Sequence, residues 1–166
     1  MDCITRLAGQ LGEALLSRQL QVSTAESCTG GGIAEAITRI AGSSQWFEAG
    51  YITYSNRQKS QQLGVPETLF DTVGAVSREV VEAMARGALQ RSGAQLAVAV
   101  SGIAGPDGGT LDKPVGTVWL AWQDGEHGFS SRQQFAGDRQ AVREQTVVCA
   151  LRGLLRLAAG EDPVEG

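Results

Sequence analysis

The chain has 166 residues, 42% of them hydrophobic and 19% charged, with a formal net charge of −4. This is the composition of one folded domain with a real core; it excludes a disordered chain and the basic surface that non-specific nucleic-acid binding requires. No apolar run reaches the roughly 18 residues of a membrane span, and the N-terminus does not read as a signal peptide, so a cytoplasmic location with no membrane partner is expected.

Leu7, Leu11, Ala14 and Leu15 recur at helical spacing and predict an amphipathic helix over 2–18. A short strand is expected over 20–24, then a glycine-rich turn, then a helix carrying Ile33, Ala34, Ile37 and Ile40 that ends near Gly42. Residues 46–54 alternate and are rich in aromatic and β-branched side chains, which predicts a strand; 56–63 reads as a short helix closed by Gly64. Ser77 is placed to cap a helix whose apolar face is Val80, Val81, Met84 and Leu89. The continuous apolar run 96–100 suits a strand covered on both faces. A Gly/Pro loop over 102–114 precedes two strands, 116–122 and 128–135, joined by a turn at Asp124-Gly125-Glu126. Asp138 opens a long helix through Leu157, and 160–166 is expected to fray. Strands alternating with helices and closing on a hairpin predict an α/β fold: a single three-layer α/β/α domain, residues 1–166, with a mixed central sheet.

The chemistry concentrates in Thr24-Ala25-Glu26-Ser27-Cys28-Thr29-Gly30-Gly31-Gly32, between a strand and a helix. Glycines let a backbone approach a ligand, and a helix N-terminus offers N–H groups to a phosphate or an oxyanion. The stretch is neither a Walker A loop nor a dinucleotide fingerprint. It reads equally as a tight turn with Ser27 or Thr29 as helix cap.

If Ser27 is a nucleophile it needs a base, and bases are scarce. The 14 basic residues are twelve arginines and two lysines, Lys59 and Lys113, beside one histidine, His127. His127 sits in the hairpin turn, so a Ser-His-Asp triad is not expected. Lys113 lies in the Gly/Pro loop. Lys59 lies on the short helix after the strand ending at Tyr54, so Lys59 and Tyr54 can point into one cleft, although an exposed helix lysine is the commoner case. Cys28 competes as nucleophile, since a helix N-terminus favours a thiolate; a buried filler is its ordinary role. Three widely spaced cysteines, Cys3, Cys28 and Cys149, make neither a disulfide framework nor a zinc site, and no metal or cofactor is expected. Arg139 and Arg143 stand one turn apart near a helix start and can face one anion or lie on a solvated face. Glu26 could orient Lys59 or a substrate hydroxyl, or be a surface carboxylate. Asp107 and Asp112 shape the loop.

Five segments, in order and covering most of the chain, carry a resemblance: TAESCTGGGIAEAIT at 24–38, YITYSNRQKSQQLGV at 51–65, GAVSREVVEAMARGA at 74–88, AVSGIAGPDGGTLDKPVGTVWLA at 99–121 and FAGDRQAVREQTVVCAL at 135–151. The chain resembles the CinA C-terminal domain family, the nicotinamide-nucleotide amidohydrolases, in its stand-alone form. The resemblance implies a serine, tyrosine and lysine at Ser27, Tyr54 and Lys59. It implies a substrate site that includes Thr29, Gly30, Gly31, Ser101, Gly102, Gly105, Arg139 and Arg143. Position 101 is often threonine in the family, and serine keeps the hydroxyl. The implied reaction is hydrolysis of the carboxamide of nicotinamide mononucleotide, and self-association as a homodimer is expected. An amidase with another amide substrate and a non-catalytic nucleotide-binding or regulatory module are the rival readings.

Overall fold

A computed structural model describes residues 2–164. Five strands form one sheet in the order β2-β1-β3-β4-β5. The strands are β1 (Val22–Glu26), β2 (Phe47–Ile52), β3 (Leu96–Gly102), β4 (Thr117–Gln123) and β5 (Gly128–Gln134). β1 runs parallel to β2 and β3, while β3–β4 and β4–β5 are antiparallel, so the sheet is mixed. The helices are α1 (Cys3–Arg18), α2 (Gly32–Thr38), α3 (Asn56–Leu63), α4 (Thr68–Thr72), α5 (Arg78–Ser92) and α6 (Arg139–Ala158).

Alternation hidden inside the apolar run of β3 builds the two faces. Val98 and Val100 join Val22, Val118, Leu120 and Trp122 in a core with α1, α2 and α6. Ala97 and Ala99 join Ala25 and Ala121 in a second core with α5 and Leu63 of α3. Small side chains on that face let α5 approach the sheet closely. The contact continues outward at Gly87, where a β-carbon would overlap the carbonyl of Leu63, so glycine sets the distance between α5 and α3.

Local chemistry sets the helix ends. Asp2, Ser55, Ser77 and Asp138 each accept a backbone N–H of the helix they precede, and Gly64 and Gly93 close α3 and α5 in the left-handed region. β1 lies two residues later than expected, so Glu26 is its last residue. α2 stops at Thr38 rather than near Gly42, and a turn carries the chain on to Gly42 at φ 88°. The tail expected to fray over 160–166 is docked as far as Val164: Pro163 is buried and Val164 packs on the first core, while 165–166 lie outside the described residues. No helix among the described residues is long and apolar enough to cross a membrane.

The three parallel strands end together. β1 stops at Glu26, β2 at Ile52 and β3 at Gly102, and their C-terminal ends are where open α/β sheets place ligands.

Candidate active site

Ser27 follows directly on β1. Its N–H donates to the carbonyl of Val100 at 3.2 Å, and the Thr53 N–H donates to the carbonyl of Glu26 at 2.9 Å, so the sheet pairing continues past the strand ends and pins Ser27 on both sides. The next turn of backbone places the carbonyl of Tyr54 beside it. The Ser27 hydroxyl donates to this oxygen at 3.5 Å, and Nζ of Lys59 donates to the same oxygen at 3.0 Å. Nucleophile and amine candidates therefore converge on one peptide carbonyl.

Lys59 reaches this point because Ser55 caps α3 and turns its first turn inward. Lys59 is only 2% exposed, and with Leu63 it is one of the two buried residues of an otherwise polar α3. Burial lowers its pKa from 10.5 to about 8. A neutral amine is thus accessible near neutrality, as a general base requires.

The other candidate bases and nucleophiles lie elsewhere. His127 is in the exposed β4–β5 turn, 3.6 Å from Asp124. Lys113 donates to the carbonyl of Val73 at 2.7 Å and tethers the 102–114 loop. Cys28 points into the first core, and burial pushes its thiol up to about 12, so it stays protonated. A cavity of about 660 Å³ between α1, α6 and β5 is lined by Phe135, Val148, Cys149 and Arg152, among others, and by none of Ser27, Tyr54 and Lys59.

Two arginines of α6 close the site. Arg139 donates to the phenol oxygen of Tyr54 at 3.0 Å and to the carbonyl of Gly105 at 2.8 Å. Arg143 donates to the carbonyl of Thr29 at 3.1 Å and lies against Gly30. Both side chains are exposed; Arg143 reaches the Ser27 loop, while Arg139 bridges Tyr54 and the Gly/Pro loop. The phenol of Tyr54 is engaged by Arg139, while the main chain of the same residue serves Ser27 and Lys59. Gly102 and Gly105 leave no space for a β-carbon against Val118 and Val115, which brings the Gly/Pro loop over the strand ends. Ser101 is buried next to Val100.

Glu26 is not a surface carboxylate and does not orient Lys59. It is fully buried and accepts hydrogen bonds from the Thr29 hydroxyl, from the Ile33 N–H at 2.8 Å and from the Ala34 N–H at 3.0 Å. Sequence reading treated the start of α2 as a set of open N–H donors; Glu26 occupies them. The available signal was Gly31 at the N-cap, which has no side chain to do so.

The chain is similar to known proteins along most of its length. The family model described as the CinA C-terminal domain matches residues 4–158. A protein of Pseudomonas putida named nicotinamide-nucleotide amidohydrolase PncC is 71% identical over 157 residues, covering 95% of this chain and 98% of its own. The protein of the same name from Escherichia coli K12 is 53% identical, covering 91% and 92%. Among solved structures, the competence/damage inducible protein CihA of Agrobacterium tumefaciens superposes with a TM-score of 0.92 at 45% identity, covering 95% of this chain and 96% of its own.

Proposed function

The chain belongs to the CinA C-terminal domain family and is an enzyme of the nicotinamide-nucleotide amidohydrolase class, and we propose that it converts nicotinamide mononucleotide to nicotinate mononucleotide and ammonia with Ser27 as nucleophile and Lys59 as base. One observation carries the mechanistic part: the Ser27 hydroxyl and the buried Lys59 amine share the carbonyl of Tyr54.

In this reading Ser27 Oγ attacks the carboxamide carbon and its proton passes to neutral Lys59. The tetrahedral intermediate collapses as the C–N bond breaks, and the lysine returns the proton to the leaving ammonia. Water then attacks the acyl-enzyme, again giving a proton to Lys59; the bond to Ser27 Oγ breaks, the lysine returns that proton to Oγ, and nicotinate mononucleotide leaves. Arg139 and Arg143 supply positive charge for the phosphate or the ribose, and the phenol of Tyr54, held by Arg139, borders the same space. A homodimer working in the cytoplasm belongs to the same proposal, and light scattering of the purified chain reads its mass.

Ammonia release from nicotinamide mononucleotide, its riboside and free nicotinamide tests the reading. Wild type and Cys28→Ala are expected to turn over the mononucleotide in preference to the other two. Ser27→Ala is expected to lose at least about 10³-fold in turnover. Full activity in Ser27→Ala together with its loss in Cys28→Ala would overturn the assignment of the nucleophile.

A further inference from the structure

The carboxylate of Glu26 takes no part in those proton transfers, yet its three hydrogen bonds decide which backbone donors the reaction can use. The N-cap of α2 is Gly31, which makes no side-chain cap. The first-turn amides of a helix have no partner inside it. Here the Gly32 N–H donates to the carbonyl of Thr29 at 3.0 Å and the Glu35 N–H to that of Gly31 at 2.9 Å. Glu26 accepts the two between, Ile33 and Ala34. Every amide of the first turn is occupied, so donors for an oxyanion must come from the loop before it.

Within that loop the Ser27 N–H is taken by Val100 and the Gly30 N–H by the carbonyl of Ser27. Among the described residues the Cys28 N–H finds no acceptor outside its own residue. The N–H groups of Thr29 and Gly31 find no acceptor among the described residues. Thr29 is held by its hydroxyl to Glu26 and by its carbonyl to Arg143 and the Gly32 N–H, so the residue that carries this N–H is anchored through both its side chain and its following peptide.

Resting on the amidohydrolase reading, we infer that Glu26 is a positioning residue: it fastens the 27–31 loop to α2 so that the Cys28, Thr29 and Gly31 N–H groups stay free for the oxyanion formed when Ser27 attacks. Oxyanion donors act through placement fixed in advance, and a displacement of about 1 Å costs up to about 10²-fold in rate. The tie acts on the transition state and leaves the arginine contacts to the substrate in place.

The test uses the purified full chain with Glu26→Gln, Thr29→Val and Thr29→Ser. Three readouts are taken: kcat and KM for nicotinamide mononucleotide, thermal unfolding, and the rate at which a fluorophosphonate labels Ser27, followed by intact mass. In the labelling step Ser27 Oγ bonds to phosphorus, the P–F bond breaks, fluoride leaves and the hydroxyl proton passes to Lys59. Glu26→Gln is expected to lower kcat and the labelling rate by about 10- to 100-fold while KM stays within about threefold. Thr29→Val is expected to lose rate in the same way, and Thr29→Ser to regain most of it. A folded Glu26→Gln protein with wild-type kcat and labelling rate overturns the inference. If Glu26→Gln does not fold, equal kcat in Thr29→Val and Thr29→Ser overturns it instead. Wild type that is labelled but releases no ammonia refutes the substrate reading alone, and the labelling series still decides the role of Glu26. Wild type that does neither removes both.

Discussion

Replacing Lys59 with methionine separates the cost of burying this amine from its use. A lysine whose pKa falls from 10.5 unfolded to about 8 folded resists protonation in the native state. The cost of the buried ammonium is fully present below about pH 8 and lifts as pH climbs towards 10.5, so this group makes the wild type more stable with rising pH across that window. The drop corresponds to about 3 kcal/mol, at about 1.4 kcal/mol per pH unit. Methionine fills a similar volume, carries no charge, and gives up only the hydrogen bond to the carbonyl of Tyr54, about 1.5 kcal/mol. Lys59→Met is therefore expected to be more stable than wild type by about 1–2 kcal/mol near pH 6.5, and to lose that advantage, changing sign, by about pH 10.5. Urea unfolding of both proteins at the two pH values measures the difference directly, and other titrating groups cancel in it. The same variant is expected to be inactive, while wild-type kcat/KM rises through about pH 8. A stability difference that is constant with pH, or a flat wild-type rate profile, would refute the reasoning that Lys59 is a desolvated base.

Gly87→Ala forces a methyl group onto the Leu63 carbonyl and pushes away the helix that carries Lys59. Unfolding in urea is expected to show a loss of about 1–3 kcal/mol, with kcat falling more than the loss of folded protein explains; wild-type stability would mean that α3 shifts freely. Arg139→Ala and Arg143→Ala are each expected to raise KM by about 10-fold or more, with a smaller effect on kcat, since each removes a charged donor facing the site. Steady-state kinetics with the mononucleotide checks this, and an unchanged KM in both variants would remove the arginines from substrate binding.

Where one residue type carries a local signal, the structure was legible in advance. α3 occupies 56–63 as expected because Ser55 caps it and Gly64 stops it, and Ser77 and Asp138 behave likewise. The three-layer architecture followed from the alternation of strands and helices. β1 was misplaced by two residues because Ala25 and Glu26 are poor strand formers, and their extended state is imposed by pairing with β2 and β3. α4 escaped because five residues show no period. At the site, scarcity of bases makes Ser27 and Lys59 candidates and i, i+4 spacing does so for Arg139 and Arg143, but only the family resemblance chooses them over their structural alternatives. The capping by Glu26 and the role of the Tyr54 main chain could not be read in advance, because both depend on where the backbone passes.

That last point bears on how such a site shows itself to genetics. The oxygen to which Ser27 and Lys59 both donate is a peptide carbonyl, and no codon change at position 54 removes it. It is placed by the hydrogen bond from Thr53 to Glu26, which extends the β1–β2 ladder. A saturation screen will flag the serine and the lysine and report side-chain effects at 54. It will stay silent about the partner they share, whose loss would require breaking the edge of the sheet itself.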